Sequence, residues 1–299
     1  MRNKRLGLLV TFLGLISLLS VVFVQDVFSQ SQKSFLWRVR SKTNTVYVLG
    51  SLHLSKKEIY PLNQKIENAF DQSDILVVEA NVNDIKKMDI QKLLESAFYP
   101  PPDTLENHVS PETYESVKKE INRLGLPLEF IRKQKPWFLS LTLVSLEVIK
   151  LGLDPNLGID KYFLSKAEGK KKILELESLD YQIDLLSNFS DKDQELFLLW
   201  TLKDLTIMEQ EVNKLTQAWT TGDTKGMETI LTRGISEDKR LTSILEKLIY
   251  ERNRRMVLKI EGFLKTKETY LVIIGAGHLV GNQGIIEILK GKGYLVEQL

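Results

Sequence analysis

The stretch "LVIIGAGHL", residues 271–279, is an apolar run that breaks at Gly275 and presents His278 three positions later. The stretch "VYVLGSLHL", residues 46–54, does the same, with Gly50 followed by His53. The chain has 299 residues and 3 histidines, so two of the three share one local setting although they lie near opposite ends. A short apolar run closed by glycine reads as a buried strand followed by a sharp turn. In α/β sheets, ligands bind beyond the carboxyl ends of the strands. Both histidines are therefore expected to project over such an edge, and they meet only if both ends of the chain enter one sheet. The expected fold is α/β: a central mixed β-sheet built from N- and C-terminal strand units, with a large helical insertion, about 82–265, between them.

The flanking segments fit that plan. "FLWRVRSKTNTVYVLGSLH" alternates, so Leu36, Arg38 and Arg40 face one way and Trp37 and Val39 the other; "KTN" turns the chain into a second strand from Thr45. "PLNQKIENAFDQS" reads as a short helix with Pro61 near its start, and "DILVVEA" as a buried strand ending in Glu79. "NDIKKMDIQKLLESAF" and "SPETYESVKKEINRLG" have helical spacing, the second with a Ser110 cap, Pro111 in the first turn and a stop at Gly125. "PWFLSLTLVSLEVIKLG" is an apolar segment ending at Gly152, and "KKILELES" a further strand. Two long helices are expected from "DKDQELFLLWTLKDLTIMEQEVNKLTQAW" and "SEDKRLTSILEKLIYERNRRMVLKIEGFLKT". Strand "TYLVIIG", helix "NQGIIEILKGKG" and strand "YLVEQL" close the chain.

Composition narrows the class. The net charge is +2 with both signs interspersed, and no basic stripe points to nucleic acid. With no cysteine, disulfides, thiolate metal sites and cysteine nucleophiles are excluded. "MRNKR" followed by the uncharged apolar run from Leu6 to Val24 and a polar exit has the layout of a secretory signal. Val27 and Ser29 are the candidate cleavage-site residues before Gln30. The alternative is an uncleaved anchor, since roughly 20 apolar residues can span a bilayer. Residues 1–29 are read as signal peptide or anchor, and 30–299 as the α/β domain. Either reading places that domain outside the cytoplasm, in the bacterial periplasm or secreted, with membrane contact only through the N-terminal segment if it is uncleaved.

The chemistry-bearing residues are His53, His278 and Glu79. A carboxylate directly after four apolar residues is costly to bury unpaired. Two imidazoles and a carboxylate at strand ends make a metal set that leaves positions open for water. Each has a structural alternative: a lone histidine after a strand is commonly a hydrogen-bonded loop residue, and Glu79 can serve the N-terminus of the next helix. His108, in "TLENHVS", has neither strand nor glycine before it and is read as a solvent-exposed loop residue. Asp160 lies at a helix start, where capping is the plain role, and Glu177 follows a strand that can approach the same edge. Arg252 and Asn253 sit on a long helix, where a charged run is ordinarily solvated; Arg252 can instead orient a carboxylate through a two-pronged contact.

"GSLHL", "ILVVEAN" and "VIIGAGHLVGNQGIIEILKGKGYLVEQL" together resemble the TraB/GumN family, which is similar to the Tiki proteases and, more distantly, to the erythromycin-esterase and ChaN-like group. "KPWF", "LGIDKYFLSKAEGKKKILELESLDYQ" and "ERNRRM" look like weaker blocks of the same family, so the resemblance spans nearly all of the chain after the signal. It implies a metal-dependent, peptidase-like hydrolase, with His53 and His278 at the two Gly-x-x-His positions and Glu79 as the family's acid; Arg252, Asn253, Asp160 and Glu177 match less specific positions. The expected scheme has His53 and His278 binding a divalent cation, Mn, Co or Zn. Glu79 either completes the ligand set or acts as general base, and Arg252 stabilises the developing oxyanion. The substrate is a peptide or a small ester or amide. Two competing readings are a peptide- or signal-binding protein that cleaves nothing, and a membrane-anchored interaction protein. In the latter "LFLLWTLKDLTIM", residues 196–208, would cover a groove, although core packing is its plainer role.

Overall fold

A computed structural model describes residues 33–83 and 89–299, so the stretch read from sequence as a signal or anchor and part of the "NDIKKMD" segment lie outside the described residues. The central strands are buried runs, as the sequence predicts. β2 (Thr45–Ser51), β3 (Ile75–Val78) and β5 (Tyr270–Gly275) are buried along almost their whole length. Strands buried on both faces need cover from both sides and are characteristic of parallel pairing. β1 (Leu36–Arg40), β4 (Lys172–Glu175) and β6 (Leu295–Gln298) complete a six-stranded sheet of order β4-β3-β5-β2-β1-β6.

The pairing joins the two ends of the chain. β2 runs parallel to β5 with Gly50 beside Ile274 and Ser51 beside Gly275, and β5 runs parallel to β3 with Ile273 beside Val78. β4 adds to β3 in parallel, while β1 is antiparallel to both β2 and β6. The fold is therefore α/β with a mixed sheet built from N- and C-terminal strands, as expected, and β2, β3, β4 and β5 all end at one edge. Pairing continues past the strands there: the Leu176 N–H donates to Val78 O and the Glu177 N–H to Glu79 O, at 2.9 and 2.8 Å.

One buried cluster surrounds the sheet. It includes Ile66 and Phe70 of helix Gln64–Gln72, Phe163 of helix Ile159–Ala167, and Met256, Val257 and Ile260 of helix Glu251–Phe263. Phe70 and Phe163 meet at 5.1 Å between ring centroids. The helical region between the strands has its own core, in which Val117, Ile121, Leu139, Leu143, Leu198 and Leu205 join helices Pro111–Arg123, Pro136–Lys150 and Asp191–Leu205. Leu198 and Leu205 belong to "LFLLWTLKDLTIM", so that segment packs inward. The Ser110 cap holds as expected, accepting from the Thr113 N–H, and Gly125 follows in the left-handed region at φ 68°.

The two long helices are each interrupted. The first breaks between Leu205 and Met208, where the Thr206 hydroxyl donates back to Lys203 O at 2.7 Å. Such back-bonding by a β-branched residue offers the backbone a way out of the helix. In the second, the Asp238 carboxylate accepts the Arg240 N–H and starts a short 3₁₀ turn. A π-helical turn, Glu246–Tyr250, then runs directly into Arg252.

Leu49 is fully buried between β1 and β5, whereas Leu258 is 65% exposed. Leu49→Ala is expected to cost about 2–5 kcal/mol in urea denaturation, and Leu258→Ala within about 0.5 kcal/mol of zero.

Candidate functional site

The β2–β5 register places His53 and His278 over the same edge, and Glu79 follows β3 into it. A β-carbon added to Gly275 would lie 3.2 Å from His53 Nε2, 3.3 Å from Glu79 Oε2 and 3.5 Å from His278 Cδ2. The three groups thus converge over a glycine whose missing side chain makes the room. His53 Nε2 is 4.0 Å from Glu79 Oε2, and His278 Nε2 is 3.9 Å from Glu79 Oε1. His53 is 57% exposed at its side chain and His278 5%, so a ligand reaches the site from the His53 side.

Each imidazole is held from behind. His53 Nδ1 donates to Asp160 Oδ1 at 3.2 Å, and the same oxygen accepts the Ser51 hydroxyl at 2.7 Å. His278 Nδ1 donates to Asn253 Oδ1 at 2.6 Å, while Asn253 Nδ2 donates to Gln283 O, which fixes the amide's orientation. A carboxylate or amide oxygen can only accept, so both Nδ1 atoms carry protons and in the neutral rings both Nε2 lone pairs face Glu79. Among the described residues neither Nε2 makes a hydrogen bond.

Glu79 is the most tightly restrained member. Oε1 accepts Gln182 Nε2 at 2.9 Å and pairs with Arg252 Nη2; Oε2 accepts the Gly275 N–H at 2.9 Å. Arg252 in turn grips Glu177 through Nε and Nη2, at 3.0 and 2.7 Å, and donates Nη1 to Leu248 O in the π turn. Its donors are thus spread over two carboxylates and a carbonyl, all inside the protein. Burial alone would raise the Glu79 pKa, but the imidazoles of His278 and His53, the Arg252 guanidinium and the Gly275 N–H hold it at about 2. Burial pushes His278 down to about 4, so at neutral pH that ring is uncharged and Arg252 is the permanent positive neighbour of Glu79. Burial acts in the same direction on His53, but the Asp160 hydrogen bond and charge, with help from Glu79, outweigh it and raise that ring to about 8. Asp160 is correspondingly lowered: burial opposes its charge, and His53 and Ser51 overcome that.

All the strand-end residues read from sequence therefore stand together: His53, His278, Glu79 and Glu177. Asp160 and Arg252 join them with Asn253, and all three are buried. Asp160 lies in the first turn of its helix, where Gly158 holds the capping position; a β-carbon on Gly158 would run into the His53 carbonyl. Ser51 and Gln182 are site residues that the sequence reading missed. Ser51 lies inside the first Gly-x-x-His, so its position was the available signal; nothing local marked Gln182. His108 stands apart, half-buried rather than exposed, bonded through Nε2 to Asp103 at 2.6 Å and stacked on Tyr99.

Two spaces open from the site. A mixed cleft of about 400 Å³ is bordered by Ser51, His53, Glu79, Asp160, Lys161 and Gln182 together with apolar residues that include Val82 and Ile273. A pocket of about 410 Å³ lies against His53, Gly275 and His278 and is walled by aliphatic side chains. The donor set suits a divalent cation in kind, with two backed imidazoles and a carboxylate over a cradle that a β-carbon would fill. Among the described residues, however, no three His, Cys, Asp or Glu side chains close to a metal-holding group. Nor is any described helix long and apolar enough to cross a membrane.

Removing Arg252 leaves two buried carboxylates facing each other. Arg252→Met is expected to cost about 3–5 kcal/mol in urea denaturation at pH 7. With three histidines, imidazole NMR in the presence of a chelator resolves each ring. His53 should titrate near 8 and His278 stay neutral above pH 5; Asp160→Asn, by removing the charge that raises it, should move the His53 midpoint downward.

The sequence profile of the TraB/PrgY/gumN family matches residues 35–298. A protein of Escherichia coli K12 named uncharacterized protein YbaP is 24% identical over 82% of this chain and 87% of its own length. An uncharacterized protein of Treponema pallidum is 23% identical over 96% of this chain and 89% of its own length. Metalloprotease TIKI1 of Danio rerio is 23% identical over 88% of this chain, a match that spans 63% of that protein. No solved structure gives a match. The chain belongs to the TraB/PrgY/gumN family.

Proposed function

We propose that this TraB/PrgY/gumN chain is a metal-dependent hydrolase, peptidase-like, acting outside the cytoplasm on a peptide or a small ester or amide. The observation that carries the reading is the convergence of His53 Nε2, Glu79 Oε2 and the His278 ring over Gly275. The Nε2 lone pair of His278, neutral at pH 7, faces the Glu79 carboxylate and repels it unless positive charge comes between them. The name metalloprotease borne by the TIKI1 relative supports the same reading.

In this scheme His53, His278 and Glu79 hold Mn, Co or Zn, and Asp160 and Asn253 aim the imidazoles. When bound, a divalent cation lowers the pKa of water and polarises a carbonyl. Glu79, with Oε2 turned to Gly275 N–H and to the Gly275 cradle between the imidazoles, is assigned the part of ligand. Arg252 fixes Glu79 and balances its charge; with four of its five N–H groups engaged by Glu79, Glu177 and Leu248 O, its part in this scheme is to position Glu79. Hydrolysis adds the water oxygen to the carbonyl carbon, breaks the bond to nitrogen or oxygen, and delivers the second water proton to the leaving group.

One observation favours the non-catalytic alternative. Three donors already occupy the Glu79 oxygens, so the imidazoles can serve instead as hydrogen-bonding groups for a bound peptide. Elemental analysis separates the two. After loading with Mn, Co or Zn, the wild type should retain close to one metal per chain and cleave members of a peptide mixture. The double variant His53→Ala, His278→Ala should lose both properties. Gly275→Ala should do the same while staying folded, because its φ of −47° suits any residue and the atoms nearest the new methyl are side-chain atoms of His53, Glu79 and His278. Undiminished metal in the double variant would sink the scheme.

A further inference from the structure

The two spaces beside the site differ in chemistry. The cleft beside His53 sets Asp160, Lys161 and Gln182 among apolar residues such as Val82 and Ile273. The second pocket, which also borders His53, is walled by Val148, Leu153, Leu215, Met227, Leu231 and Ile249. Among its described lining residues no acid, lysine or arginine occurs, and the charge-bearing groups are His53 and His278 alone. Three helices and the π turn supply the walls: Val148 from Pro136–Lys150, Leu215 from Met208–Thr221, Met227 and Leu231 from Thr224–Glu237, and Ile249 from Glu246–Tyr250. Val148, Leu153 and Met227 are buried, so the back of the pocket is fixed by packing.

We propose that this pocket is the specificity subsite of the hydrolase, and that it takes a large uncharged aliphatic or aromatic side chain next to the bond that is cut. The inference rests on the hydrolase reading and adds the substrate class to it. Its size of about 410 Å³ holds one bulky side chain with its backbone. Direct contact with His53, Gly275 and His278 sets that side chain beside the reacting carbonyl. A charged side chain in the same place would lose its water with nothing to pair it. The cleft that also borders His53 offers Lys161 and Gln182 to the rest of the substrate.

Two measurements test this separately from the hydrolase reading. In the first, metal-loaded protein is given a mixed peptide library and the cut sites are read by mass spectrometry. Cleavage should favour Leu, Phe or Met over Ser or Asp at one flanking position by about tenfold or more. Leu215→Asp or Ile230→Asp, the latter at a further residue of the same wall, each checked for folding by circular dichroism, should erase that preference. In the second, chelator-treated protein is titrated with N-acetyl-phenylalaninamide and with N-acetyl-aspartamide. The first probe should shift the His53 and His278 imidazole resonances and leave His108 in place, the second should shift none, and either Asp variant should abolish the response. Cleavage without an apolar preference, or a preference that survives both variants, overturns the subsite. If no peptide is cut but the aromatic probe still shifts His53 and His278 in a Leu215-dependent way, the pocket stands as a binding site and the hydrolase reading fails. If neither occurs, both fall.

Discussion

The parallel pairing of β2 with β5 is the constraint on which the rest depends. Parallel strands cannot be joined by a tight turn, and here the connection between them is most of the chain. The register that seats Ser51 beside Gly275 is also the register that brings His53 and His278 over one edge. A slip by one residue would reverse every side chain on the strand and take Ser51 away from Gly275, so the site exists in this register alone. The site therefore inherits its precision from the hydrophobic core beneath it rather than from the loops that carry it.

Above that edge the polar groups are arranged in shells. Glu79 faces the imidazoles, Arg252 holds Glu79, and Glu177 balances Arg252. Asp160 and Asn253 stand behind the two rings, and Ser51 and Gln283 O stand behind them in turn. Buried polar networks are stabilising only when every member is satisfied. Among the described residues the Nε2 atoms of His53, which opens to solvent, and of His278 make no hydrogen bond in this network, and both face Glu79, which is where a ligand would complete it.

The fold and the innermost residues were legible because their signals are local. An apolar run, a glycine and a histidine can be read in nine residues, and so can four apolar residues followed by Glu79. The supporting residues were less legible because their meaning is set by distant partners. Asp160 looked like a helix cap, since its contact with His53 spans most of the N-terminal half of the chain. Gln182 carried no signal, because a glutamine on a helix is ordinarily solvated. Arg252 was read as a group able to orient a carboxylate, but its pairing with two carboxylates emerges only when β3, β4 and the helix are assembled. The helix interruptions at Thr206 and Asp238 were hidden for a related reason: uninterrupted apolar spacing outweighs the weak preference of a single capping side chain.

The π turn at Glu246–Tyr250 has a consequence for the helix it interrupts. Each such turn holds one residue more than an α-helical turn, which advances everything after it by about 100° around the axis. Upstream of it, Ile244 packs with Phe189 and Leu196 in a small cluster of the helical region; downstream, Met256, Val257 and Ile260 pack against the sheet. A helix of uniform pitch presents a single apolar stripe, and these two halves answer to different neighbours. The phase slip reconciles them, and it falls in the turn that delivers Arg252 to Glu79, so the same local unwinding that couples two packing layers also sets the angle of the guanidinium.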